Sequence, residues 1–153
     1  MQDSRANRLL DTHRQLLERW RKAMNLVGPG PLDPHYEDCD RALAALRPEG
    51  HWADLGTGAG FPGIPFAASF PDVTVELVDS RQKRCRFLDE VVAEAEVEGL
   101  RVRRLQHEEL DAHAYDGILS RALSAPEAML DVGRRLLKPG GTLVLFLQDT
   151  HPV

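Results

Sequence analysis

Cysteine is scarce in this chain: 153 residues hold two, Cys39 and Cys85. Two thiols cannot staple a small secreted scaffold, and no Cys/His spacing reads as a zinc site, so neither a disulfide framework nor a metal is expected. Long apolar runs are missing as well. No stretch approaches the roughly 20 residues that cross a bilayer, which excludes a helical integral membrane protein. The opening MQDSRANRLL lacks the apolar core of a secretory signal, so export is not expected. Nor is there an excess of positive charge: 19 Lys and Arg face 24 Asp and Glu, a formal net charge of −5. A non-specific nucleic-acid coat carries the opposite balance, although a local basic face remains compatible with it. The expectation is a reduced, cytoplasmic protein of one domain with one core.

What is there falls into two regions, with no repeat and no low-complexity linker. Residues 1–50 read as a helical segment packed on the core formed by residues 51–153. In the first region Leu9, Leu10, His13, Leu16, Leu17, Trp20 and Met24 recur at three- and four-residue steps, the stripe of an amphipathic helix. GPGPLDP breaks it at residues 28–34, and a short helix follows with Tyr36, Cys39, Leu43 and Leu46 on one side. From residue 51 strands alternate with helices. Strands are expected at 51–55, 73–78, 100–105, 117–120 and 142–147, and helices at 61–70, 81–98 and 124–137. Gly99 is expected to cap the second of these helices, Ser124 to Glu127 to form a capping box, and Lys138 to Gly141 to form a turn. That alternation predicts an α/β fold, a mostly parallel sheet of about five strands flanked by helices, with ligands bound at the carboxyl ends of the strands.

The strongest feature is Asp54-Leu55-Gly56-Thr57-Gly58-Ala59-Gly60-Phe61-Pro62-Gly63. Glycines at every second position let a loop leave a strand tightly and let a ligand reach the backbone. Gly58, Gly60 and Gly63 also match the dinucleotide fingerprint, which needs an open helix N-terminus for a pyrophosphate. Here Pro62 and Pro65 remove two backbone donors, and Asp54 places a carboxylate beside the loop. A cationic, phosphate-free ligand such as S-adenosylmethionine fits better. Asp79, at the end of the second strand, is placed to accept the ribose hydroxyls of an adenosine. Glu108 and Glu109 follow the third strand, and one of them is a candidate for the adenine side, with a solvated helix start as the alternative.

The stretches DLGTGAGFPGIP, ELVDSRQKRCRFLDEV, QHEEL, YDGILSRAL and LKPGG resemble the bacterial small-subunit ribosomal RNA guanine-N7 methyltransferases, also called glucose-inhibited division protein B. Trp20, Asn25-Leu26 and His35-Tyr36-Glu37-Asp38 resemble that family's N-terminal motifs. The resemblance implies a class I, Rossmann-like methyltransferase fold using S-adenosylmethionine, with small-subunit ribosomal RNA as partner. It implies that Gly56 and Phe61 contact the cofactor, with Thr57 and Gly58 beside them. Asp79 would hold the ribose, His107 and Glu108 would lie by the adenine, and Arg121 near the methionine end and the substrate. Lys83 and Arg84 would belong to an RNA-facing patch. Where the family carries a Lys-Gly pair after the fifth strand, this chain has Gln148-Asp149.

Guanine N7 has a free lone pair and no proton to lose, so its methylation asks for alignment and not for a general base. Asp38 is a candidate to stabilise the cationic product and Arg121 to hold a phosphate or the cofactor carboxylate. His13 reads as a packed residue, and His113 and His151 as solvated ones. Arg81, Lys83, Arg84 and Arg86, with Arg101, Arg103 and Arg104, are a candidate phosphate patch. Two other functions stay open: a methyltransferase acting on a small molecule, and a cofactor-binding or interaction protein without transfer. The apolar run Thr142 to Leu147 suggests an edge at which two copies pair into a homodimer.

Overall fold

β-branched and apolar residues in short runs set the frame of the structure, a computed structural model that describes residues 4–25, 27–121 and 125–147. Helices α1 (Ser4–Met24) and α2 (Asp33–Leu43) precede strand β1 (His51–Leu55). Then follow α3 (Gly63–Ser69), β2 (Thr74–Asp79), α4 (Gln82–Ala95), β3 (Leu100–Arg104), a 3₁₀ turn at His107–Glu109, β4 (Tyr115–Arg121), α5 (Pro126–Leu136) and β5 (Leu137–Phe146). The strands lie in the order β3-β2-β1-β4-β5 and every neighbouring pair is parallel. The order reverses at β1, which pairs with β2 on one side and β4 on the other. The carboxyl ends of β1 and β4, with Leu55 opposite Ser120, therefore flank the crevice where open parallel sheets bind ligands.

Parallel strands covered on both faces are buried almost throughout, as β1 and β2 are. On one face Trp52, Val75, Leu77 and Leu119 pack with Leu9, Leu16 and Leu17 of α1, Phe66 of α3 and Phe87, Leu88 and Val91 of α4. On the other, Ala53, Leu55, Val78 and Ile118 pack with Met129 and Leu136 of α5. Two arginines tie α1 down. Arg5 Nη1 donates to Ala67 O at 2.8 Å and Arg8 Nε to Ala95 O at 2.6 Å, so each guanidinium meets carbonyls in the last turn of α3 or α4. Those carbonyls have no partner within their own helix, and a cation there also complements the helix dipole.

The structure corrects three boundaries. α4 ends at Ala95 and its cap is Glu96, which takes the left-handed conformation at φ 51 and bonds back to Val92 O. Gly99 comes after the turn, and its carbonyl accepts the Val75 N–H at 2.7 Å where β3 begins. Lys138 to Gly141 belong to β5, which leaves α5 directly. Tyr115 pairs with Leu137 and Gly117 with Thr142, so a short step of β4 faces a longer, bulged step of β5 that absorbs the Lys-Pro-Gly-Gly run. Leu46 lies beyond the end of α2. Leu26, Ala122, Ser124, Gln148-Asp149 and His151 lie outside the described residues, so the capping box and the Lys-Gly replacement do too.

Gly117 shows how closely the central strands are packed. A Cβ there would stand 2.1–2.3 Å from the Trp52 ring, its cross-strand partner. Gly117→Ala is expected to cost about 1–3 kcal/mol by overpacking, with a matching change in tryptophan fluorescence. Urea denaturation checks it. Gly140→Ala is the comparison: the space there is open, so only the strain of its φ of +82 is charged.

Candidate cofactor and active site

The glycine loop is anchored along its length. Thr57 N donates to Val78 O at 3.0 Å and Gly58 N to Asp79 Oδ2 at 3.0 Å. Asp54 Oδ2 accepts from Thr57 Oγ1 and from Gly63 N, both at 2.8 Å. Gly60 N closes a turn on Thr57 O at 2.8 Å. Asp54 thus lies beneath the loop, buried, with its Oδ2 turned to the first N–H of α3. A pyrophosphate would need those donors free. Four of them are spent within the fold, and Pro62 and Pro65 have none to offer. The structure places the barrier to a dinucleotide there, rather than in repulsion from an exposed carboxylate.

Beside the loop lies a cleft of about 230 Å³ lined by Leu55, Gly56, Val78, Asp79, Ser80, Arg81, Arg84, Leu105, Gln106 and His107. Gly56 and Asp79 thus share one wall-to-wall space with His107. Asp79 ends β2; its Oδ1 accepts from Arg81 N at 3.0 Å, and Arg84 Nη1 stands 3.6 Å from Oδ2. His107 Nδ1 is buried and has no hydrogen-bond partner among the described residues. Glu108 is mostly exposed, pairs with His107 and does not line the cleft. Glu109 serves the local turn: its carboxylate accepts the Gln106 N–H at 2.9 Å, completing a capping box.

Arg121 ends β4 on the far side of the loop. Its Nη2 lies 3.5 Å from Cys39 Sγ and its guanidinium 5.5 Å over the Phe146 ring. Asp54 Oδ1 and Arg121 Nε, on one face of the sheet where β1 and β4 end, are buried and have no hydrogen-bond partner among the described residues, and neither has Ser120 Oγ on the opposite face. Buried polar atoms seldom stay unpaired, so this is ground for a polar ligand group. Asp38 is not brought into this group: it is exposed and bonded to Arg41 on the outer side of α2. The adjacent Cys39 is the α2 side chain that reaches Arg121, and burial pushes its thiol up to about 11. His35 stacks on Phe61 with ring centroids 5.4 Å apart.

The basic residues divide. Arg101 and Arg103 turn to the buried carboxylate of Glu76, each at 3.3 Å, and do not join the α4 run. Glu76 also accepts from Tyr115 Oη and bonds His51 Nε2, both at 2.8 Å. Burial alone would raise its pKa, but the Tyr115 hydroxyl, His51 and Arg103 outweigh that and hold it below the usual range. Sequence reading passed over Glu76, since one acid inside VTVELV carries little signal. The alternation of the strand does place it on the face with Val78, and that was the signal to follow. Tyr36 was also missed as a polar partner, because its spacing marks it only as part of an apolar face.

Two buried titratable groups hold the loop with opposite proton preferences. Burial raises the Asp54 carboxyl to about 7, against the bonds from Thr57 and Gly63. Burial also lowers His13 to about 4; its ring Nε2 bonds Ala59 O at 2.7 Å. The folded value of Asp54 lies above its unfolded one, so its contribution to stability is complete below about pH 4 and lost as pH rises to 7. The folded value of His13 lies below its unfolded one, so its contribution is complete above pH 6.5 and lost as pH falls to 4. Asp54→Asn removes the first slope. Relative to the parent, the variant is expected to gain on the order of 4 kcal/mol between pH 4 and pH 7. Urea unfolding across that range is the check, and parallel profiles for parent and variant would refute it.

The family model described as GidB, rRNA small subunit methyltransferase G, matches residues 6–151. A curated relative from Xanthomonas oryzae pv. oryzae (strain KACC10331 / KXO85), named ribosomal RNA small subunit methyltransferase G, is 38% identical over 141 residues. One of the same name from Xanthomonas campestris pv. campestris (strain B100) is 40% identical over 144 residues. Each match takes in 90% of this chain and 66% of the relative, so the chain spans just under two thirds of their length. Among solved structures, a SAM dependent methyltransferase from Aquifex aeolicus superposes with a TM-score of 0.62 at 20% identity, covering 88% of this chain and 77% of that one. TYW2 of P. horikoshii, in complex with MeSAdo, gives a TM-score of 0.58 at 15% identity, covering 73% and 42%. These two likenesses establish the Rossmann-like methyltransferase fold. With the match over residues 6–151 and the identity to curated relatives, the chain belongs to the GidB family.

Proposed function

We propose that this chain binds S-adenosylmethionine across the carboxyl ends of β1, β2 and β4, and carries the cofactor side of a guanine-N7 methyltransferase of small-subunit ribosomal RNA. The observation that carries the cofactor reading is the joint placement of Gly56, Asp79 and His107 around one cleft, beside a loop whose donors are already spent. That geometry suits a nucleoside without phosphate. The family's name, and the names of the relatives, support ribosomal RNA as substrate. A cytoplasmic location follows from that substrate.

S-adenosylmethionine, when bound, supplies a methyl group made electrophilic by the sulfonium. The residues have separate tasks. Asp79 accepts from the ribose hydroxyls; its oxygens each keep acceptor capacity beyond the bonds to Gly58 N and Arg81 N. Leu55, Val78 and Leu105 give the base an apolar bed, and His107 Nδ1 meets its polar edge. Gly56, Thr57, Gly58 and Phe61 shape the loop beside it. Arg121, with an unpaired Nε at the end of β4, takes the carboxylate of the methionine end or an RNA phosphate. Asp38, exposed and bonded to Arg41 on the outer side of α2, is not placed to face the cationic product base. None of these residues needs to remove a proton, because guanine N7 has none. Their contribution is orientation.

Calorimetry with S-adenosylhomocysteine tests the cofactor half. The parent is expected to bind at micromolar Kd and not to bind NAD. Asp79→Ala is expected to weaken binding roughly 10- to 150-fold, the loss of about 1.5–3 kcal/mol of charged hydrogen bonding. Unchanged affinity in that variant, or preference for NAD, would overturn the assignment. Transfer of a labelled methyl group to ribosomal RNA lacking its N7 mark tests the substrate half. There Arg121→Ala is expected to reduce turnover by more than it reduces affinity for S-adenosylhomocysteine. Methylation of a small molecule, or cofactor binding with no transfer to any RNA, would replace the substrate reading. A homodimer through the outer edge of β5 is a separate part of the proposal, resting on that strand's place at one end of the described sheet. Light scattering that finds only monomer at every concentration removes it.

A further inference from the structure

We infer that His13 is a positioning residue for the cofactor loop: its neutral ring links the Tyr36 hydroxyl to the Ala59 carbonyl, and so lets the N-terminal helices set the loop's shape. The inference rests on the S-adenosylmethionine reading above and deepens it. His13 Nε2 lies 2.7 Å from Ala59 O and Nδ1 lies 2.7 Å from Tyr36 Oη. A carbonyl can only accept, so Nε2 carries the hydrogen. A neutral ring then leaves Nδ1 as an acceptor, and the Tyr36 hydroxyl donates to it. The chain of donors runs one way, from α2 through α1 to the loop.

Several observations separate this from simple packing. His13 is 0% exposed within an otherwise apolar helix stripe, where leucine or phenylalanine would fill the space. An apolar replacement would leave the Ala59 carbonyl and the Tyr36 hydroxyl buried without partners, which costs more than the bonds themselves contribute. The ring is also fixed in orientation. Phe61 and Tyr36 meet it edge-on at 5.1 and 5.6 Å, and Phe87 of α4 lies at 5.9 Å. The fit reaches the glycine loop itself, since a Cβ on Gly60 would stand 3.2 Å from His13 Nε2. The loop's other tethers come from β1 and β2: Asp54, Val78 and Asp79. His13 holds the stretch between them, and holds it from outside the sheet.

The surroundings favour a neutral ring. Burial lowers its pKa to about 4, and Arg14 on the same helix adds to that. Arg14 lies 4.6 Å over the Tyr36 ring, and the remaining titratable groups acting on Tyr36 are Glu18 of α1 and Asp33 and Cys39 of α2. α4 and the loop present Phe87 and Phe61 to the ring.

The test combines ¹⁵N spectra of the His13 ring with S-adenosylhomocysteine affinity at pH 7, each variant measured well below its melting temperature. The free parent is expected to show the Nε2–H tautomer. His13→Leu is expected to lose at least tenfold in affinity. His13→Gln, whose amide N–H can replace the donor to Ala59 O, is expected to stay within about threefold of the parent. Tyr36→Phe keeps the ring and loses the hydroxyl, and is expected to fall between them. This order separates positioning from stability, because a purely structural role would follow the melting temperatures and not the donor. An Nδ1–H tautomer, or a folded His13→Leu that binds like the parent, overturns the inference alone. If His13→Leu does not fold, the glutamine and phenylalanine variants decide, and equal large losses in both overturn it. A parent that binds no S-adenosylhomocysteine overturns the cofactor reading, and the inference falls with it.

Discussion

Asp54 Oδ2 fixes where the chain turns from strand to helix. It accepts the Thr57 hydroxyl at the start of the loop and the Gly63 N–H at its end, so a nine-residue excursion closes on one buried carboxylate. The backbone from Gly56 to Gly60 has its shape because both ends of the loop are held from below. The same bond takes up the α3 N-terminus. A fold that could have met a pyrophosphate there has instead met its own aspartate. Gly63 allows this closeness: a Cβ at that position would lie 2.7 Å from Asp54 Oδ2 and 2.4 Å from Leu77. The glycine serves packing beneath the loop, whereas Gly58 and Gly60, at φ of +58 and +99, serve its path.

The N-terminal helices are part of the same machinery. Arg5 and Arg8 fasten α1 to the ends of α3 and α4, and all three helices pack into one core on the same face of the sheet. Once α1 is so placed, His13 stands under Ala59 and Tyr36 can close on it from α2. α2 in turn brings Cys39 to Arg121 at the end of β4. Both sides of the crevice, the glycine loop and the Arg121 corner, thus depend on helices that precede the first strand. Loosening α1 should be felt at the ligand before it is felt in the sheet.

Much of this was legible in the residues themselves. Alternation in VTVELV and the apolar stripe of α1 follow from the periods of strand and helix, and the first four strands were found to within two residues, whereas β5 begins five residues before its expected start. That the glycine loop and Asp79 adjoin could be read from their places at the carboxyl ends of successive strands, and Gly58 N does bond Asp79 Oδ2. What stayed hidden required knowledge of partners distant in sequence. Asp54 reads as a free carboxylate until Gly63 N is seen bonded to it. Asp38 and Cys39 are neighbours, and only the rotation of α2 shows that the thiol, and not the carboxylate, turns inward. Gly99 looks like a helix cap by type, yet Glu96 takes the left-handed turn three residues earlier. Lys138 to Gly141 look like a turn by composition, but the bulge opposite Tyr115 keeps them in β5.

The division of arginines bears on how a chain of net charge −5 could meet the polyanion that the proposed function calls for. Arg101 and Arg103 neutralise Glu76, a carboxylate buried against the sheet, and burying such a charge without partners would be costly. Arg104 bonds Ser80 O at 3.4 Å, and Arg84 faces Asp79. Exposed cations next to the cleft include Arg81, Lys83 and Arg86, at the cap and first turns of α4 and two to seven residues after Asp79. Phosphate affinity depends on charge near the contact, since ions at a Debye length of about 8 Å are largely screened in physiological salt. Under the proposed function, this small cluster beside the cleft is the local basic face that an RNA backbone would meet.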